Sequence, residues 1–82
     1  MKARILLIED DPGITITLQR LLASEGHEVI VEKRGDSGLA RAGSERFDVV
    51  LSDLKLPGLS GLDLVRELHA VKLRLPIILM TA

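Results

Sequence analysis

Apolar runs and amphipathic stretches alternate along the whole chain. Ile5-Leu6-Leu7-Ile8 is a continuous apolar run of strand length, the pattern of a strand covered on both faces. It stops at Glu9-Asp10-Asp11, and Asp11 followed by Pro12 reads as a helix N-cap with proline at the first helical position. Ile14, Leu18, Leu21 and Leu22 then fall on one helical face, and Gly26 provides a C-terminal stop. Val29-Ile30-Val31 predicts a second strand. A second helix opens at Gly35-Asp36-Ser37, with Leu39, Ala40 and Ala42 as its modest apolar set. Phe47 to Leu51 predicts a third strand, ending at Ser52-Asp53. A loop of turn formers, Pro57-Gly58 and Ser60-Gly61, follows. Leu62, Val65, Leu68 and His69 give a third helical face. Pro76 introduces a fourth strand, Ile77-Ile78-Leu79-Met80, and Thr81-Ala82 close the sequence. The order βαβαβαβ predicts an α/β domain whose parallel sheet is joined by right-handed crossovers.

Composition narrows this picture. With 82 residues the chain is at most one domain, and 46% hydrophobic content is enough for a core. One Phe and no Trp or Tyr make that core aliphatic. Eleven basic against 12 acidic residues leave no basic excess for nucleic acid. No Cys is present, which removes disulfide and thiolate-zinc readings and fits a cytoplasmic protein. The apolar run after Met1-Lys2-Ala3-Arg4 is too short for a signal peptide or a membrane span.

The chemistry lies in the acids. In open parallel sheets ligands bind beyond the carboxyl ends of the strands. Glu9, Asp10 and Asp11 follow the first strand, Asp53 the third and Thr81 the fourth. If strands one and three are neighbours, the carboxylates of Glu9, Asp10 and Asp53 converge. Such a cluster favours a hard cation, and Mg²⁺ takes carboxylate, water and phosphate oxygens. A carboxylate beside it is also a known phosphoryl nucleophile. The plainer reading stands beside this one, because Asp10 and Asp11 also suit simple capping of a helix start.

These residues resemble a known family. Ile5 to Pro12 resembles the opening strand and acidic pair of response-regulator receiver domains. Asp48-Val49-Val50-Leu51-Ser52-Asp53-Leu54-Lys55-Leu56-Pro57-Gly58 resembles their phosphoacceptor strand and loop. Ser60 to Leu64 continues that loop into its helix, and Pro76 to Ala82 resembles the fourth strand with its Thr-Ala ending. The resemblance implies a flavodoxin-like parallel sheet over residues 1–82 and a function as a phosphoryl-accepting regulatory module rather than an enzyme. Asp53 then matches the phosphorylated aspartate and Asp10 the direct Mg²⁺ ligand. Glu9 matches an acid acting through water, the Lys55 backbone carbonyl a third metal ligand, and Thr81 the switch hydroxyl. Ala82 is the small residue beside it. His27 and His69 match no donor or ligand position.

A full receiver continues with a helix, a fifth strand and a closing helix, and places before that strand a lysine that pairs with the phosphoryl group. No residue here fills that role, so the chain matches a partial receiver domain. The resemblance implies a sensor histidine kinase or a small phosphodonor as the phosphoryl source. It also implies an output partner outside the chain, with no direct contact to nucleic acid or membrane. A bare fourth strand and an uncovered first helix predict homodimer formation. The alternative function is a self-associating scaffold without phosphoryl chemistry. An aspartate-nucleophile phosphatase would need a second acid where Lys55 stands.

Overall fold

A computed structural model describes residues 2–72 and 74–80. Strands β1 (Arg4–Ile8), β2 (Glu28–Glu32), β3 (Val49–Asp53) and β4 (Ile77–Met80) alternate with helices α1 (Pro12–Ser24), α2 (Gly35–Ser44) and α3 (Gly61–Val71). All strand pairs are parallel, in the order β2-β1-β3-β4. The chain reverses direction across the sheet between β2 and β3, so β1 and β3 are neighbours at the switch point, the crevice where ligands bind in such sheets.

Strand alternation sorts the apolar residues into two faces. Leu6 and Ile8 of β1 and Val50 of β3 join Ala42 of α2 and Leu64 and Leu68 of α3 in one cluster, closed at its end by Phe47. Leu6, Ile8, Ala42, Val50, Leu64 and Leu68 have no exposed surface. Ile5 and Leu7 point to the opposite face, which α1 covers only in part. α1 packs on β2, and on this face Ile78 of β4 is 54% exposed.

Two expectations about packing are corrected. The apolar stripe of α1 is largely uncovered, as expected: Leu18 and Leu22 are half-buried, Ile14 and Leu21 are exposed, and the buried residue of the helix is Thr15. In α3 the buried positions are Gly61, Leu64 and Leu68, whereas Leu62 is 58% exposed and His69 is exposed. The i, i+4 pair Leu64 and Leu68 meets the sheet, so the true face is rotated from the expected one. In α2 the expected Ala42 is buried and Leu39 half-buried against the core, but Ala40 is exposed, and Gly35 and Gly38 are buried beside them. A methyl group built on Gly38 would lie 2.5 Å from Ile8 Cδ1, so the strand packs directly against the helix backbone there.

The third strand starts at Val49, later than expected, because Phe47 turns into the core while Asp48 is tied to the first strand. The Asp48 N–H donates to the Arg4 carbonyl (2.8 Å), and its carboxylate accepts from the Arg4 N–H (2.7 Å). At this end of the sheet Arg4 bridges Glu28 (3.2 Å) and Glu45 (2.7 Å). Arg41 bridges Glu45 (2.9 Å) and Glu32 (2.8 Å). The Arg4 guanidinium also lies 4.5 Å from the Phe47 ring centroid.

Candidate functional site

β1 and β3 end side by side, with Ile8 in register with Ser52. The next residue of each chain segment therefore brings Glu9 alongside Asp53. One carboxylate oxygen from each of Glu9, Asp10 and Asp53 lies within 4.8 Å of the others. Glu9 is 3% exposed, Asp53 half-buried and Asp10 exposed, so the cluster grades from the sheet edge into solvent.

The acidic triplet divides its work. Asp11 is the N-cap of α1: its Oδ1 accepts from Gly13 N–H (2.8 Å) and Ile14 N–H (3.2 Å), and Pro12 occupies the first turn. Capping thus accounts for Asp11 and leaves Glu9 and Asp10 to the cluster. Glu9 Oε2 accepts from the N–H groups of Asp10 (2.9 Å) and Asp11 (3.4 Å), which folds its carboxylate back over the strand end. Burial pushes the Glu9 carboxyl above the usual carboxylate range, the Asp11 and Asp10 N–H groups oppose that, and the charge of Asp53 adds to it. Three clustered carboxylates repel one another, so the arrangement holds an energy that a cation would release.

The loop after β3 returns to Asp53. Lys55 N–H donates to Asp53 Oδ1 (3.4 Å), and the Lys55 side chain is exposed. Gly61 N–H donates to the Leu54 carbonyl (2.9 Å) as α3 begins, and Ser60 caps that helix by accepting from Asp63 N–H (3.2 Å). Thr81 and Ala82 lie outside the described residues. His27 Nδ1 accepts from Ala3 N–H (3.0 Å), a contact that ties the segment before β2 to the start of β1.

Two supporting residues were not singled out by pattern. Thr15 is buried beneath the cluster, its hydroxyl donating to the Glu9 carbonyl (3.4 Å). Its signal in the sequence is a small hydroxyl on the inward side of the first helical turn. Gly35 is the other: its N–H donates to the Pro57 carbonyl (2.9 Å), joining the head of α2 to the loop that follows Asp53. A glycine at a helix start looks permissive in sequence, and only the tertiary contact shows why it is there.

The donor set is all oxygen and all carboxylate, which suits a hard divalent cation such as Mg²⁺ and does not suit zinc, copper or an iron–sulfur cluster. A doubly wound sheet with acids gathered where its first and third strands end defines a phosphoryl-accepting receiver class. The chain belongs to the response regulator receiver domain family, whose model matches residues 5–82.

Its relatives agree. It is 38% identical over 80 residues to the transcriptional regulatory protein GlrR of Escherichia coli (strain K12), covering 98% of this chain and 18% of that protein. It is 41% identical over 81 residues to an uncharacterized transcriptional regulatory protein of Bacillus subtilis (strain 168), covering 99% of this chain and 36% of that protein. The chain therefore spans between 18% and 36% of these regulators' length.

Among solved structures, the receiver domain of a Pseudomonas aeruginosa PAO1 sensor histidine kinase, with magnesium in its active site cleft, superposes at TM-score 0.94. It is 34% identical, covering 100% of this chain and 69% of that one. The response regulator TrrA of Thermotoga maritima, solved with Mg²⁺ and BeF, superposes at TM-score 0.93 with 38% identity, covering 100% of this chain and 70% of that one. The same TrrA has also been solved in complex with the histidine kinase ThkA.

Proposed function

We propose that the chain is the phosphoryl-accepting module of a two-component pathway, with Asp53 as the acceptor and Mg²⁺ as the required ion. The observation that carries this reading is the meeting of Glu9, Asp10 and Asp53 at the β1–β3 switch point. Asp10, Asp53 and the Lys55 carbonyl are assigned as direct ligands, with Glu9 acting through water. When bound, Mg²⁺ neutralises charge on the transferring phosphoryl oxygens.

Asp53 does the covalent work. One of its carboxylate oxygens forms a bond to phosphorus as the phosphorus–nitrogen bond of a phosphohistidine donor breaks. The electron pair leaves on the imidazole nitrogen, which takes up a proton. With acetyl phosphate the leaving group is acetate. Lys55 N–H donates to the acceptor carboxylate and orients it, and Glu9 and Asp10 keep the local field suited to the cation. Thr81 is assigned the hydroxyl that hydrogen-bonds the transferred group. A sensor histidine kinase is the physiological donor in this reading, as TrrA and ThkA form a complex. The modified acceptor then biases a surface read by an output partner in the cytoplasm.

The test is intact mass after incubation with acetyl phosphate and Mg²⁺, with Asp53→Ala as control. Gain of one phosphoryl group by the wild type and none by the variant is the expected result. No gain under saturating donor would overturn the acceptor reading.

A second reading draws on the apolar surface. Ile14 (40%), Leu21 (57%) and Ile78 (54%) are exposed on α1 and the edge strand β4, and an unpaired apolar edge favours pairing with a second copy. A concentration-dependent dimer in sedimentation analysis supports that scaffold role. A monomer throughout the micromolar range excludes it.

A further inference from the structure

We infer that the head of α2, Arg34-Gly35-Asp36, is a clamp on the loop that follows Asp53, and that Gly58 is a positioning residue for the acceptor site; this rests on the acceptor-site reading above. The two loops meet closely at two points. Gly35 N–H donates to the Pro57 carbonyl (2.9 Å), and a side chain on Gly35 would collide with the backbone carbonyl of Leu59. Opposite it, Gly58 has φ +85°, and a methyl group there would lie 2.5 Å from Asp36 Oδ1 and 2.7 Å from Arg34 Nη2.

The two side chains that Gly58 meets are paired with each other. Arg34 Nε and Nη2 donate to the two oxygens of Asp36 (3.0 and 3.1 Å), and Asp36 Oδ1 also accepts from Ser37 N–H (2.9 Å). Both side chains of the pair are 54% exposed, so the pair adds little stability of its own. Its consequence is geometric. A methyl group at position 58 would have to push the ends of Arg34 and Asp36 aside, on top of the strain of its positive φ.

The loop's other end is set by the bond from Gly61 N–H to the Leu54 carbonyl (2.9 Å). Between these anchors stands Lys55, whose N–H reaches Asp53 Oδ1 (3.4 Å) and whose carbonyl is the assigned third metal ligand. A loop displaced at residue 58 carries that N–H and carbonyl away from the acceptor. Groups that orient metal ligands typically change metal affinity by ~10–100-fold when lost.

The test uses Gly58→Ala in the full chain, read by amide hydrogen exchange of segment 54–60 without metal and by calorimetric Mg²⁺ affinity. Gly26→Ala is the control, because Gly26 also has positive φ (+91°) but has nothing within 4 Å of a built methyl and lies away from the site. Both variants carry the same backbone strain, and only one touches the clamp.

Gly58→Ala is expected to speed exchange across 54–60 and weaken Mg²⁺ binding by roughly tenfold, while Gly26→Ala changes neither. Adding Asp36→Ala to Gly58→Ala is expected to restore part of the affinity, which a mere loss of stability would not do. Should Gly58→Ala fail to fold, Gly35→Ala, which drives a methyl group into the Leu59 carbonyl, tests the same junction from the α2 side and is expected to speed exchange in 54–60.

Unchanged exchange in the loop overturns the clamp. Faster exchange with unchanged Mg²⁺ affinity overturns the positioning role. Absence of Mg²⁺ binding by the wild-type chain overturns the acceptor-site reading instead, and exchange still decides the clamp.

Discussion

Replacing Asp53 by Asn should stabilise the metal-free protein although it removes the proposed acceptor. The carboxylate oxygens of Glu9, Asp10 and Asp53 lie within 4.8 Å of one another. At that separation each like-charge pair costs about 0.9 kcal/mol at the dielectric of water and about 3.5 kcal/mol at an effective dielectric near 20. Salt at physiological strength screens over about 8 Å, so the repulsion survives in buffer. Asp10 is exposed, which places its repulsion with Asp53 near the lower figure. Glu9 is buried, and burial together with the charge of Asp53 pushes its carboxyl above the usual range. Asn retains an oxygen that can accept the Lys55 N–H. The net gain is about 1–3 kcal/mol, an upward shift in Tm on the order of 10 °C for a domain of this size. With no Trp or Tyr in the chain, the assay is thermal unfolding by far-ultraviolet circular dichroism in a chelator. Added Mg²⁺ should raise the Tm of the wild type by mass action and leave the variant nearly unmoved. An equal or lower Tm for Asp53→Asn in chelator would refute the reasoning, because the carboxylates would then not be in repulsive contact.

Asp11→Ala should cost ~1 kcal/mol through loss of the α1 N-cap and leave Mg²⁺ affinity, measured by calorimetry, unchanged. Leu68→Ala removes a fully buried side chain from the α2–α3 side of the sheet and should cost about 2–5 kcal/mol in urea denaturation. The pH dependence runs in two opposite directions. Glu9 binds its proton more tightly folded than unfolded, so metal-free stability should rise as pH falls from neutral through the raised Glu9 pKa, and Glu9→Gln should abolish that rise. Glu45, held below its usual range by hydrogen bonds to Arg4 and Arg41, gives stability that is present above its unfolded pKa. That stability is lost as pH falls through the lowered folded value, so unfolding in strong acid should be shallower for Glu45→Gln.

The sequence made the elements and their order legible because each strand is a short apolar run ending in an acid or a turn. Ile5 to Ile8 ends at Glu9, and Val50-Leu51 ends at Ser52-Asp53. The cluster was legible for the same reason: in a parallel sheet the residue after a strand is placed by topology, so neighbouring strands bring their terminal residues together whatever the helices do. What was not legible is how the helices rotate. The α3 stripe was read through Leu62, Val65, Leu68 and His69, but the sheet takes Leu64 with Leu68, since both patterns share the same 3.6-residue period and only packing chooses between them. The glycine contacts of α2 were hidden more deeply, because an absent side chain carries no periodic signal.

The two faces of the sheet differ in how they serve the site. The α2–α3 face holds the buried cluster, and its helices also bound the acceptor loop: α3 begins where that loop ends, and the head of α2 lies against Pro57 and Leu59. The α1 face contributes the Asp11 cap and the Thr15 hydroxyl beneath Glu9, yet leaves Ile14, Leu21 and Ile78 in solvent. The β1–β3 pair that carries Glu9, Asp10 and Asp53 stands at the centre of the sheet with a strand on either side, and both faces contribute to the candidate site. Phosphoryl transfer depends mainly on holding its partners in place. On this architecture the proposed acceptance of the group rests on the central strands and the proposed association on the exposed apolar surface, so the two readings can be tested separately.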